Sequence, residues 1–188
     1  VMAASDPKTL YASMYQRRRT TCCFNGGGEG SGIFKSTDGG ETWSKLSNGL
    51  PTGPLGRIGL DVYRGSAAIV YASIEAPGGG RGAAPGAGAL GTGIYRSDDG
   101  GASWRRTSAV NPRPMYFSKV HIDPSSPERL YMGGVGLHMS LDGGQNFATD
   151  AAMAIHDDKH AVWINPANPD HILIGNDGGL AVSYDQSK

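Results

Sequence analysis

Three groups of side chains in this sequence have the types and spacing to do chemistry. His156, Asp157, Asp158 and His160 mix imidazole and carboxylate groups within five positions, and a hard or borderline divalent metal takes such donors. The metal reading names His156, Asp158 and His160. A solvated polar loop has the same composition. The second group is a carboxylate pair, Asp158 with Asp177 (or Asp157 with Asp177). Glycoside hydrolysis needs two carboxyls about 5–5.5 Å apart for retention or about 6.5–9.5 Å for inversion. Asp177 also stands in Asn176-Asp177-Gly178-Gly179, which reads equally as a turn. The third group is basic and aromatic: Arg17, Arg18 and Arg19 with Arg57, Arg113, Tyr15 and Tyr116. Guanidinium forks of this kind grip carboxylates in pairs of hydrogen bonds. The competing reading packs Arg113 and Tyr116 across a junction between sheets and leaves the arginine run in solvent or paired with Glu29. Cys22 and Cys23 are adjacent, and neighbouring residues rarely bridge each other. They read as two thiols in a loop, or as partners in an intermolecular or metal contact.

The elements that must position these groups are set by a repeat. Ser36-Thr37-Asp38-Gly39-Gly40-Glu41-Thr42-Trp43 returns as Ser97-Asp98-Asp99-Gly100-Gly101-Ala102-Ser103-Trp104 and again as Ser140-Leu141-Asp142-Gly143-Gly144-Gln145-Asn146-Phe147. It starts a fourth time at Ser183-Tyr184-Asp185. The last two intervals between the serines are equal, and the first is longer by about the length of the Gly, Ala and Pro tract between Ala76 and Thr92. A second landmark keeps phase upstream of each box: Leu10-Tyr11-Ala12, Val70-Tyr71-Ala72, Leu130-Tyr131-Met132 and Ile172-Leu173-Ile174. Each unit of roughly 43 residues resolves into four short strands, punctuated by Gly, Pro and Asp. One such sheet cannot bury both faces alone, but stacking units radially does so. The expected fold is an all-β propeller of four-stranded antiparallel blades, about four blades and about 15 strands. The blades fall at approximately 1–50, 57–108, 116–150 and 159–188, the last lacking its outer strand.

Within each box, Asp-Gly-Gly sits where the third strand must reverse into the fourth, and Gly supplies the positive φ. The residues Ser36, Asp38, Gly40, Trp43, Ser97, Asp99, Gly101, Trp104, Ser140, Asp142, Gly144 and Phe147 are therefore read as structural. The aspartates tie the turns, and Trp43, Trp104 and Phe147 pack between adjacent blades.

Ser-x-Asp-x-Gly-x-x-Trp resembles the Asp-box, or bacterial neuraminidase repeat, of sialidases, xyloglucanase-type glycoside hydrolases and sortilin-like receptors. Tyr15-Gln16-Arg17-Arg18-Arg19, Phe24-Asn25-Gly26-Gly27-Gly28, Asn111 to Phe117, His160 to Pro166 and Gly175 to Gly179 narrow the likeness. With them the chain resembles the large secreted bacterial proteins described as glycosyl-hydrolase-like or sortilin-like. The resemblance implies an extracellular or periplasmic setting and a segment of a bigger propeller, its ring completed by further blades or a partner subunit. In xyloglucanase-type relatives the two acids come from widely separated parts of a larger structure. A sialidase would use an arginine clamp and a tyrosine nucleophile, but the arginines and tyrosines here do not align with that site. Phe147 replaces the box tryptophan, and the fourth box is cut short at Lys188.

Strand parity then sorts the loops. Turns between first and second and between third and fourth strands, including every box, open on one face. Loops between second and third strands and the links between blades open on the other, and these carry Arg17, Arg18, Arg57, Arg113, Tyr116 and Asn176, the candidate ligand-binding residues. Loops on a rigid scaffold are where binding residues collect. Acids and bases balance at 17 each, which argues against a nucleic-acid partner. No apolar run approaches the ~18–20 residues of a membrane helix. The function expected is a binding or scaffolding module for a glycan, a peptide or a partner subunit. The alternative is part of a glycoside hydrolase, xyloglucanase-like or sialidase-like, whose active site other blades complete. Apart from a divalent metal at the histidine-aspartate triplet, no cofactor is expected.

Overall fold

The computed structural model describes residues 1–77, 90–117, 119–148 and 151–187. The glycine-rich tract 78–89, with Arg81, lies outside the described residues. The described residues are all-β, and no helix among them is long and apolar enough to cross a membrane.

Four antiparallel sheets follow one another along the chain. The first joins β1 (Met2–Ala3), β2 (Asp6–Met14), β5 (Gly32–Ser36) and β6 (Ser44–Leu46), with a separate hairpin of β3 (Arg17–Arg19) and β4 (Phe24–Gly26) raised from the loop between β2 and β5. The second is β7 (Ile58–Val62), β8 (Val70–Ile74), β9 (Gly93–Ser97) and β10 (Arg105–Ser108). The third holds β11 (Val120–Asp123), β12 (Ser126–Met132) and β13 (His138–Ser140), and the fourth β14 (Lys159–Ile164), β15 (Ile172–Asn176) and β16 (Gly179–Ser183). The strand order in each sheet is the chain order. Two details differ from expectation. The loop expected between β2 and β5 contains the hairpin, and among the described residues the outer edge of the third sheet is a single bridge between Met139 and Ala148 where a fourth strand is expected.

The cores lie between consecutive sheets. Alternation along a strand sends successive side chains to opposite faces, so in β8 Val70, Ala72 and Ile74 face the first sheet while Tyr71 faces the third. All five residues of β8 are buried, because this strand has a sheet on either side. Each fully buried aliphatic side chain contributes about 1.5–3 kcal/mol. The second landmark of the repeat is the centre of these interfaces. Tyr11, Tyr71 and Tyr131 are each buried against the following sheet. The Tyr11 hydroxyl donates to the Gly100 carbonyl at 2.9 Å and that of Tyr71 to the Pro127 carbonyl at 3.0 Å. Asp61 on β7 accepts the Ile122 amide at 2.7 Å and joins neighbouring inner strands.

The boxes have the expected geometry. Ser36, Ser97 and Ser140 each donate to the carboxylate two residues on, at 2.7–2.8 Å, and accept the amide of Gly40, Gly101 or Gly144 at 2.7–2.9 Å. Both glycines of each pair have φ between 68° and 101°. One expectation needs correction. Trp104 is buried in the core between the first and second sheets and Phe147 lies against the next core, but Trp43 is 42% exposed. The other two box aromatics pack back on the preceding sheet, and among the described residues no sheet lies on that side of the first.

Candidate functional site

On the face opposite the boxes, loops from separate sheets converge on a cleft of about 740 Å³. The β3/β4 hairpin supplies one wall. Its register pairs Arg17 with Gly26 and Arg19 with Phe24. Because side chains alternate, Arg17 and Arg19 share one face, which lines the cleft, and Arg18 points to the other. Arg17 lies over the Phe24 ring at 5.7 Å. Tyr15, just before the hairpin, has a buried hydroxyl with no partner among the described residues. Burial, with the nearby Glu75 charge, raises its pKa against the opposing pull of Arg17 and Arg57.

The opposite wall comes from the links between sheets. Arg57, just before β7, is anchored at both ends. Its amide donates to Glu75 Oε2 at 3.0 Å, and its guanidinium donates to the Tyr116 carbonyl at 2.6 Å. Tyr116 and Met115 sit in a turn in which the Tyr116 and Phe117 amides donate to the Arg113 carbonyl. Arg113 does not line the cleft; it stacks over Tyr116 and Phe117 at 5.1 and 5.6 Å and meets Asp158 at 3.8 Å. Both members of this ion pair have positive φ, 45° and 59°, a conformation rare outside Gly, Asn and Asp. His160 completes the wall, edge-on to Tyr116 at 5.4 Å, with Nε2 3.1 Å from Asp177.

The structure thus brings Arg17, Arg57 and Tyr116 together, adds Arg19, Phe24 and His160, and assigns other partners to the remaining candidates. Asn176 Oδ1 accepts the Gly178 amide at 2.8 Å and forms the turn between β15 and β16. Asp177 faces His160, and Asp158 faces Arg113. His156 Nδ1 lies 3.0 Å from the Asp157 carbonyl, so His156, Asp158 and His160 point to three different partners. Among the described residues no group of three His, Cys, Asp or Glu side chains is gathered as metal ligands need. Cys22 and Cys23 sit exposed at the hairpin tip, on the cleft rim. The adjacent thiols, with Thr20 Oγ1 3.6 Å from the Cys22 sulfur, lower the pKa of Cys22 and raise that of Cys23. Chemically, the cleft offers guanidinium donors and aromatic faces. Sequence reasoning gave His160 to a metal; its place beside Tyr116 follows from the start of β14, which lies next to the link carrying Tyr116.

No family model matches the chain. A xyloglucanase from a Paenibacillus species is 33% identical over 129 residues, 65% of this chain and 11% of that protein. The crystal structure of a GH74 enzyme from Niastella koreensis matches with a TM-score of 0.59 and 20% identity, covering 98% of this chain and 26% of its own. That of the GH74 xyloglucanase from Xanthomonas campestris matches at 0.57 and 18%, covering 100% of this chain and 24% of its own. The chain therefore spans about a quarter of the length of these structures. Together with four serially packed antiparallel sheets, they show that the fold is a partial β-propeller.

Proposed function

We propose that this chain is the ligand-binding part of a larger, glycoside-hydrolase-like Asp-box propeller, and that it holds a polysaccharide in the cleft between Arg17, Arg57 and Tyr116. One observation carries the reading: loops from several sheets bring exposed aromatic rings and guanidiniums, that of Arg57 held by the Tyr116 carbonyl, to one concave site on the loop-rich face. Sugar rings stack on aromatic faces, and arginine forks satisfy their oxygens. The propeller supplies rigidity, and the loops supply specificity. The likeness to a xyloglucanase supports an extracellular or periplasmic setting. The blades are the four sheets, at approximately 1–50, 57–108, 116–150 and 159–188.

A further blade packs on the fourth sheet in this reading. Trp163, Leu173 and Val182 stand side by side in its register, and Leu173 occupies the position of Tyr11, Tyr71 and Tyr131. In the three earlier sheets that position is covered by the next sheet; here Trp163 and Val182 remain about half exposed.

The 33% identity to a xyloglucanase favours a second reading, a glycoside hydrolase whose site other blades complete. In it Asp158 and Asp177 are the candidate acids. Affinity electrophoresis of the full protein in gels containing a panel of plant and bacterial polysaccharides tests the first reading. Retardation by at least one polymer, lost in Tyr116→Ala, supports it; unchanged mobility in every gel contradicts it. For the second, full-rate cleavage by an Asp158→Asn, Asp177→Asn double variant would remove those two acids from any catalytic role.

A further inference from the structure

We infer that the cleft selects polysaccharides bearing carboxylates, such as uronate polymers, over neutral ones; this rests on the glycan-binding reading above. The chain as a whole is charge-balanced, with 17 acids and 17 bases, but the cleft is not. Arg17, Arg19 and Arg57 line it, and no aspartate or glutamate is among its described lining residues. Two carboxylates contact residues of the wall. Glu75 accepts the Arg57 amide at 3.0 Å, and Asp177 faces His160 at 3.1 Å. Neither closes a guanidinium fork of the lining arginines in the geometry described.

The positions of these arginines favour a fixed ligand charge over diffuse attraction. Arg57 is held by the Tyr116 carbonyl at 2.6 Å, so its remaining N–H groups are oriented in advance, and less freedom is lost when they bind. Arg17 and Arg19 project from one face of a paired hairpin, two residues apart, on the opposite wall. Salt screens exposed charges beyond about 8 Å at physiological ionic strength, so the preference acts on carboxylates seated in the cleft and not on the polymer at large. The exposed rings of Phe24 and Tyr116 offer surfaces for sugar rings between the carboxylates. This combination distinguishes an acidic glycan from an acidic peptide. Tyr15 also lines the cleft, and its hydroxyl, without a partner among the described residues, adds a donor beside Arg17 and Arg57.

The test compares one polymer with and without its charge. Polygalacturonate, its methyl ester, neutral xyloglucan and poly-glutamate are titrated by calorimetry against the full protein, Arg17→Gln, Arg57→Lys and Tyr116→Ala. Hydrogen bonds to a charged partner are stronger than those between neutral groups. The free acid is therefore expected to bind at least about ten-fold tighter than its ester. Arg17→Gln is expected to weaken the acid by about ten-fold and the neutral polymers by less than two-fold. Arg17 is on an exposed hairpin, so its replacement leaves the cores intact, and Arg57→Lys keeps the charge while losing the fork. Equal affinity for the ester or for xyloglucan overturns the inference and leaves the glycan reading standing. Poly-glutamate binding as tightly as polygalacturonate, with Tyr116→Ala without effect, overturns it in favour of charge alone. No binding by any polymer overturns both.

Discussion

Tyr11, Tyr71 and Tyr131 occupy one position of the repeat, yet they are not equivalent. The first two donate across the sheet junction to Gly100 and Pro127, and Arg96 also reaches the Tyr71 hydroxyl at 2.8 Å. The hydroxyl of Tyr131 is buried with no partner among the described residues. A made hydrogen bond contributes about 0.5–1.5 kcal/mol, whereas an unmatched buried polar group costs about 1–3 kcal/mol. Denaturant unfolding should therefore show Tyr71→Phe less stable by about 1 kcal/mol and Tyr131→Phe unchanged or more stable. A loss of equal size in both would mean that Tyr131 has a partner across the third junction. In all three rings burial raises the hydroxyl pKa to about 12, so they remain neutral donors at any ordinary pH.

The box is the element in which the repeat is most literal, and its fourth copy shows how far the geometry outlasts the residues. Ser183 donates to Asp185 and accepts the Ser187 amide at 2.7 Å, as the other box serines do. Gln186 and Ser187 stand where the other boxes have Gly-Gly, and they take φ of 64° and 63°. A side chain in this region costs about 1–2 kcal/mol. Ser187→Gly should stabilise by about 1 kcal/mol in denaturant unfolding, and a loss of stability would contradict that reading of the turn. The boxes and sheet order were legible from sequence because glycine pairs and alternating apolar residues report backbone conformation directly. The β3/β4 hairpin was not, because Arg17–Arg19 carries no alternation of apolar and polar residues to mark a strand. Its parity is what separates Arg17 and Arg19 from Arg18. The partners of Asp158 and Asp177 were equally hidden, since they depend on how links between sheets fold over one another.

At the scale of the molecule, the boxes contribute to stability in acid. Hydrogen bonds from serine, threonine, asparagine and backbone donors hold Asp38 well below the usual carboxylate range and lower Asp99 and Asp142 to about 2. In the unfolded chain aspartate titrates near 3.9. Because the folded values are depressed, these groups stabilise the fold above about pH 4, and that contribution is lost as pH falls through about 2. Denaturant midpoints should drop between pH 4 and pH 2, with a shallower drop in Asp142→Asn. Identical slopes for the variant and the parent would remove the boxes as the cause. The same frame that resists unfolding positions the loops: four sheets in series set the spacing of the hairpin, Arg57 and Tyr116. The most direct measurement is a crystal structure of the full protein with an acidic oligosaccharide. Sugar density between Arg17 and Arg57, against Tyr116, is the predicted result; an ordered ligand bound only on the box face, with this cleft unliganded, would contradict the account.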